Sequence, residues 1–212
     1  MAILKVYGQL YPGLRFEYVF HCEKDKKKRG FVTRVHEVLA QELGAESMPC
    51  CFDDITKLLK GTAKCSLHRN CECPCAPKDF DWYFCSSSCK DLSKENAHRF
   101  KGNCFADKNI KTPGGSSETY FAMTDVMSHF RPDLVFFENV SDIDNKSADS
   151  LESNLDLLKK HWADLGCATQ AVFFDTVQFG LPHHRDRVVV VAANIRDPRL
   201  MNFRDTDVNE IF

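Results

Sequence analysis

The side chains with reactive chemistry lie in a few short segments. Cys89 follows the run Phe80-Asp-Trp-Tyr-Phe-Cys85 and three serines, a small-residue stretch where backbone amides can approach a substrate. Amides and neighbouring cations in such a turn favour the thiolate, the form of cysteine that attacks carbon. Glu138 ends the apolar run Leu134-Val-Phe-Phe137, placed to be partly withdrawn from water as a proton-donating carboxyl requires. Arg185 and Arg187 stand two residues apart at the entry to a strand. Glu23 closes the run Phe16–Glu23, and Asp53, Asp54 and Ile55 close the run that begins at Cys50. Each has a plainer reading. With eleven cysteines, any one is by default a small buried hydrophobe; Glu138 is a rim acid, and the arginines are one salt bridge and one solvated cation.

The segment 61–79 holds Cys65, His68, Cys71, Cys73 and Cys75, enough thiolate and imidazole to bind zinc. It lacks the two separated Cys-x-x-Cys knuckles of common zinc folds. It is read as a Cys-rich insertion with no metal ligand assigned, structural zinc being the alternative.

Elements must position these groups. The 212 residues are 43% hydrophobic and 27% charged, which excludes disorder and low-complexity material as the default. Lys and Arg number 28 against 30 acids, so overall charge does not advertise a nucleic-acid partner. No run approaches the roughly 18 apolar residues of a membrane helix, and no secretory signal is visible at the N-terminus. The expectation is no membrane partner and an intracellular protein with reduced thiols, nuclear in a eukaryote.

Ile3, Tyr7, Leu10 and Leu14 form a helical stripe ending near Tyr11. A strand over 16–23 and a solvated basic run, 24–29, follow. Val32, Val35, Val38, Leu39 and Leu43 form the inner face of a helix stopped by Gly44. Strands are expected over 50–55, 80–85, 134–137, 170–174 and 188–192. Tyr120, Met123, Val126, Met127 and Phe130 mark one further helix, and Leu151, Leu155, Leu158, Trp162 and Leu165 another. The segment 90–116 reads as a long mobile loop, with six basic residues against three acidic ones over 90–113. Alternating strands and helices imply an α/β fold, a mostly parallel sheet with helices on both faces, binding ligands beyond the carboxyl ends of its strands.

In order, Phe16–Glu23, Asp53-Asp-Ile-Thr56, Ser86-Ser-Ser-Cys89-Lys-Asp-Leu-Ser93, Arg131-Pro-Asp-Leu-Val-Phe-Phe-Glu138-Asn-Val140 and Phe179-Gly-Leu-Pro-His-His-Arg-Asp-Arg187 resemble successive motifs of the C5-cytosine DNA methyltransferases. Singly each is weak; their shared order is specific. The resemblance implies a Rossmann-like S-adenosylmethionine-dependent methyltransferase fold, incomplete here. A partial catalytic domain would span 1–195, with the insertion 61–79, the mobile active-site loop 90–116 and a tail, 196–212.

It further implies that Cys89 attacks cytosine C6, that Glu138 holds and protonates N3, and that Arg187 supports the base and the glutamate, with Arg185 its neighbour in the catalytic motif. The methyl of S-adenosylmethionine goes to C5, and the base must leave the helical stack to be reached. Glu23 is expected at the ribose hydroxyls of the cofactor, Asp54 and Ile55 at its adenine, and the basic loop at phosphates. The sequence departs from the family in lacking the Gly-rich first motif, in Ser88 for proline, in His183 for glutamine, and beyond about 195. The chain reads as a fragment truncated at both ends or a degenerate copy. The alternatives are an RNA cytosine-5 methyltransferase, a catalytically inactive nucleic-acid or chromatin interaction module, and a zinc-binding interaction protein centred on 65–75.

Overall fold

The computed structural model describes residues 17–43, 49–67, 79–110, 115–147 and 150–196, and the chain divides into two compact units, residues 1–78 and 79–212. The helix expected before Tyr11, Gly44, residues His68, Cys71, Cys73 and Cys75 of the Cys-rich segment and the 197–212 part of the tail lie outside the described residues, as do the side chains of Leu39 and Leu43.

In the first unit, β1 (Phe20–Cys22) pairs in parallel with β2 (Cys50–Phe52), Cys22 opposite Phe52. Helix α1 (Lys26–Leu43) connects them, as a parallel pair requires. Its first turn is all basic, against the helix dipole, and Asp25 compensates by accepting the Lys27 and Lys28 amides at 2.8 and 3.0 Å. The basic run is solvated as expected except at Arg29, which is half-buried, and Val38 of the expected inner face is 51% exposed. The strand at 50–55 is shorter than expected, because Asp54 caps a short helix, α2 (Ile55–Leu58). Cys65 returns to the sheet edge in an isolated antiparallel bridge with Phe52.

The second unit carries a four-stranded sheet ordered β3 (Trp82–Cys85), β4 (Leu134–Val140), β6 (Asp186–Asn194), β5 (Cys167–Asp175). β3 and β4 are parallel; β6 runs antiparallel to both β4 and β5, so the α/β sheet is mixed. The reason is local: residues 176–185 make a hairpin closed by a 3-10 turn ending at Gly180 in the left-handed region (φ 77°). Pairing with β6 also carries β4 past Phe137 through Glu138, Asn139 and Val140, opposite Val189, Val188 and Arg187.

Val135, Phe137 and Asn139 point to one face of β4 and are buried. On that face Trp162 of α4 (Asn154–Asp164) meets Phe137 edge-on at 5.9 Å, and its indole donates to Thr124 of α3 (Ser116–Phe130) at 3.3 Å. Tyr120, Met123, Val126 and Met127 bury the inner side of α3 as the stripe predicts. Leu151 does not belong to its stripe: it is 89% exposed, because Ser153 starts α4 with a capping box to Asp156.

The 90–110 part of the expected mobile loop is pinned at several points. Phe105 is fully buried against Tyr120, rings 3.8 Å apart, and its amide donates to Asn154 at 3.0 Å. Lys94 donates its amide to Asp142 at 2.8 Å and pairs with it through Nζ at 3.0 Å.

Candidate functional site

At the carboxyl end of β3 the chain enters Ser86-Ser-Ser-Cys89, beside the end of β4, because the register sets Cys85 opposite Phe137. Glu138 is next along β4. Its Oε2 lies 3.2 Å from the Ser86 hydroxyl and its Oε1 2.9 Å from Nε of Arg187, which the β4–β6 register delivers from the other side. Both carboxylate oxygens are thus held by donors from separate strands. The Glu138 side chain keeps 45% of its exposure, so it is a held acid only partly withdrawn from water. Arg187, at 19%, is the more buried partner.

Asn139, 2% exposed, points the other way and donates to Ser87 at Oγ (3.0 Å) and at the carbonyl (3.3 Å). The cysteine loop is therefore tied to β4 on both sides of the strand. Its last residue, Cys89, is exposed, and it is the only exposed cysteine among the described residues. Desolvation pushes other thiols up: Cys22 and Cys104 to about 12, Cys167 to about 11, Cys51 and Cys85 also upward. Those cysteines are poor nucleophiles for this reason.

Arg185 does not join this cluster. Its side chain is exposed, and its amide donates to Asp175 at 2.9 Å. Asp175 organises the 176–185 hairpin, accepting also from the Val177 amide (3.3 Å) and from Nδ1 of His184 (2.5 Å). The His184 hydrogen bond and the Arg185 amide hold the Asp175 carboxyl down to about 2, and Asp175 raises His184 above its ordinary value. His183 is exposed at the tip of this hairpin, its carbonyl accepting from the Thr176 hydroxyl.

In the first unit Glu23 extends the ladder beyond β1, its amide donating to the Phe52 carbonyl at 3.0 Å. Its Oε1 accepts the Asp25 amide at 2.8 Å, while Oε2 takes no hydrogen bond from a described residue. That open oxygen suits a hydroxyl donor, so a ribose edge fits here. Nη1 of Arg29 donates to the Glu23 carbonyl at 2.6 Å and fixes the turn. Asp54 and Ile55 stand at the same end of β2. Desolvation opposes the Asp54 carboxylate, but the Thr56 hydroxyl and amide (2.7 and 3.0 Å), with Lys24 and Lys57, outweigh it and hold its pKa below the ordinary value. Ile55, half-buried, begins α2.

Sequence reasoning did not single out Ser86, Asn139 or Arg29 for a site. The first two lie inside the motifs that carry the family resemblance, but neither type nor spacing distinguishes them; Arg29 is hidden in a basic run. Among the described residues no three His, Cys, Asp or Glu side chains are gathered to hold a metal, and no helix is long and apolar enough to cross a membrane.

Residues 74–210 match the family of C-5 cytosine-specific DNA methylases. Among solved structures the chain is similar to the Dnmt2 methyltransferase of S. pombe, at 15% identity and a TM-score of 0.46, over 89% of this chain and 47% of that one. It is also similar to the Entamoeba histolytica methyltransferase EhMeth, at 14% identity and a TM-score of 0.42, over 82% and 44% respectively. The chain spans about half the length of these two structures. No curated protein sequence matches it.

Proposed function

We infer that this chain, which belongs to the C-5 cytosine-specific DNA methylase family, carries the residues for methyl transfer to C5 of cytosine in DNA, with Cys89 as nucleophile. One observation supports this reading above the others: three segments far apart in sequence meet around Glu138, through Ser86 of the loop that ends in exposed Cys89 and through Arg187.

The Cys89 thiolate forms a bond from Sγ to C6 of the base, and the C5=C6 electron pair shifts toward C5. Glu138 hydrogen-bonds N3 and gives it a proton, neutralising the charge that enters the ring. Arg187 keeps the Glu138 carboxyl oriented from the β6 side. S-adenosylmethionine, when bound, supplies the methyl that ends on C5. Loss of the C5 proton to water then expels the Cys89 sulfur from C6 and restores the double bond, and the N3 proton returns to the Glu138 carboxylate. Glu23 would hold the ribose hydroxyls of the cofactor through its open oxygen, with Asp54 and Ile55 at the adenine. The target base must be turned out of its stack, since C6 cannot be reached inside it.

The test is covalent trapping on DNA containing 5-fluorocytosine, whose fluorine cannot leave as a cation, with S-adenosylmethionine present. The full chain is expected to give an adduct on Cys89, and Cys89→Ser none. Equal trapping by Cys89→Ser overturns the nucleophile. An adduct with 5-fluorocytosine RNA and none with DNA changes the substrate to RNA. Nucleic-acid binding with no adduct on either makes the chain an inactive interaction module.

A further inference from the structure

A nucleophilic cysteine must be open to substrate yet fixed in space. In a stretch of small residues those demands conflict, because Ser86–Ser88 offer little apolar surface to anchor the backbone. The structure resolves the conflict from outside the loop. Gly115, the residue before α3, has no side chain and adopts φ 71°, so it cannot cap the helix. Instead Asp91 comes in from 25 residues upstream: its Oδ2 accepts the Ser116 amide at 3.0 Å, and its own amide donates to Ser116 Oγ at 3.1 Å. This closed pair of bonds has the logic of a capping box, shared between two segments. Asp91 is 4% exposed and Ser116 fully buried. One turn on, Thr119 Oγ1 accepts the Ser88 amide at 3.0 Å and donates to the Gly115 carbonyl at 2.8 Å.

Cys89 is therefore gripped on the residue before it and on the second residue after it, both by the first turn of α3. Its own carbonyl accepts the Leu92 and Ser93 amides at 3.0 and 2.9 Å, and Leu92 is buried. Backbone and flanks are bound while the sulfur is exposed. The electrostatic influence of the Asp91 carboxylate is felt at buried Cys104, which it helps to push up. Its value to Cys89 is geometric.

We propose that Asp91 is a positioning residue for the Cys89 nucleophile: its buried carboxylate caps α3 and, with Ser116 and Thr119, locks the turn that presents the thiol. This rests on the reading of Cys89 given above. A displacement of about 1 Å at a reacting atom costs on the order of 100-fold in rate, so freeing the turn acts on the chemical step with nucleic-acid affinity unchanged.

The experiment measures adduct formation on 5-fluorocytosine DNA, and on RNA if DNA gives none, across nucleic-acid concentrations. Hydrogen exchange at the Asp91–Ser93 amides and melting temperature are followed in parallel. Asp91→Ala and Ser116→Ala are expected to lower the saturating trapping rate by about 10- to 100-fold. The half-saturating concentration stays the same, and protection is lost at those amides while β4 stays protected. Asp91→Asn keeps an acceptor for the Ser116 amide and is expected to recover trapping to within about threefold of the parent. Alanine variants that trap at the parent rate, that lose rate only in proportion to their unfolded fraction, or that asparagine fails to rescue while folded overturn the positioning role alone. Absence of any adduct from the parent chain overturns the reading beneath it.

Discussion

The two units place acids at the same topological position, beyond the carboxyl ends of parallel strands, but hold them differently. In the first unit Glu23 bonds to an amide two residues away, and Asp54 to the amide and hydroxyl of Thr56. In the second, Glu138 is held by Ser86, 52 residues distant, and Asn139 by Ser87 at the same separation; Ser88 reaches Thr119 across 31 residues. Among the described residues of the first unit, Arg29 bonds Ser66 across 37 residues. A site stitched by near neighbours forms with its turn. One stitched across strands exists only when the sheet has its register, so it is more sensitive to distant change.

The largest expected effect breaks this comparison at the chemistry. Glu138→Gln removes the proton donor to N3 and is expected to slow trapping by at least about 100-fold with little change in nucleic-acid affinity. Glu23→Ala is expected to raise the cofactor concentration needed for half-maximal trapping about tenfold and to leave the saturating rate alone. The opposite pattern, a rate loss from Glu23 and a cofactor effect from Glu138, would exchange the two assignments.

Stability sharpens it next. Asn139→Ala removes the amide donor to the buried Ser87 hydroxyl and should destabilise the second unit by about 1–3 kcal/mol in denaturant unfolding. Asp54→Ala removes a local cap from the first unit and should cost about 1 kcal/mol. A smaller loss at Asn139 than at Asp54 removes the claimed difference in wiring.

The acid side of the stability curve gives a smaller effect. The Asp54 carboxyl is depressed in the folded state, so its contribution is complete above the unfolded value of about 3.8 and fades as pH falls through its lower folded value. Asp54→Asn keeps a capping group and is expected to flatten that part of the curve; an unaltered slope shows that another group carries it.

Smallest is the hairpin pair. Asp175 raises His184, so that link is complete below the unfolded histidine value of about 6.5 and is lost as pH rises through the higher folded value; Asp175 stays charged down to about 2. NMR titration should place His184 above 6.5 and return it toward that figure in Asp175→Asn. No change in the variant removes Asp175 as the cause.

Much of the fold was legible because periodicity reports burial directly. The Tyr120–Met127 stripe is read from spacing alone and is buried as expected; of the apolar run before Glu138, Val135 and Phe137 are buried and Leu134 and Phe136 half-buried. The start of α4 was misread at Leu151 although Ser153-x-x-Asp156 offered the signal, since a capping box outranks one more apolar residue. The direction of β6 was not legible, because a valine run pairs equally well either way; the tight 176–185 hairpin decided it.

The sequence by itself determined which residue types were present in which order: a cysteine among small residues, an acid after an apolar strand, two spaced arginines. Order along the chain is a local property, and side-chain chemistry follows from it. Only the tertiary structure decided that Arg187 meets Glu138 and Arg185 does not, that Glu138 stays half in water, and that Asp91 caps a helix 25 residues away. Those outcomes depend on strand register and on where two distant backbones come within 3 Å, and no spacing within one segment encodes either.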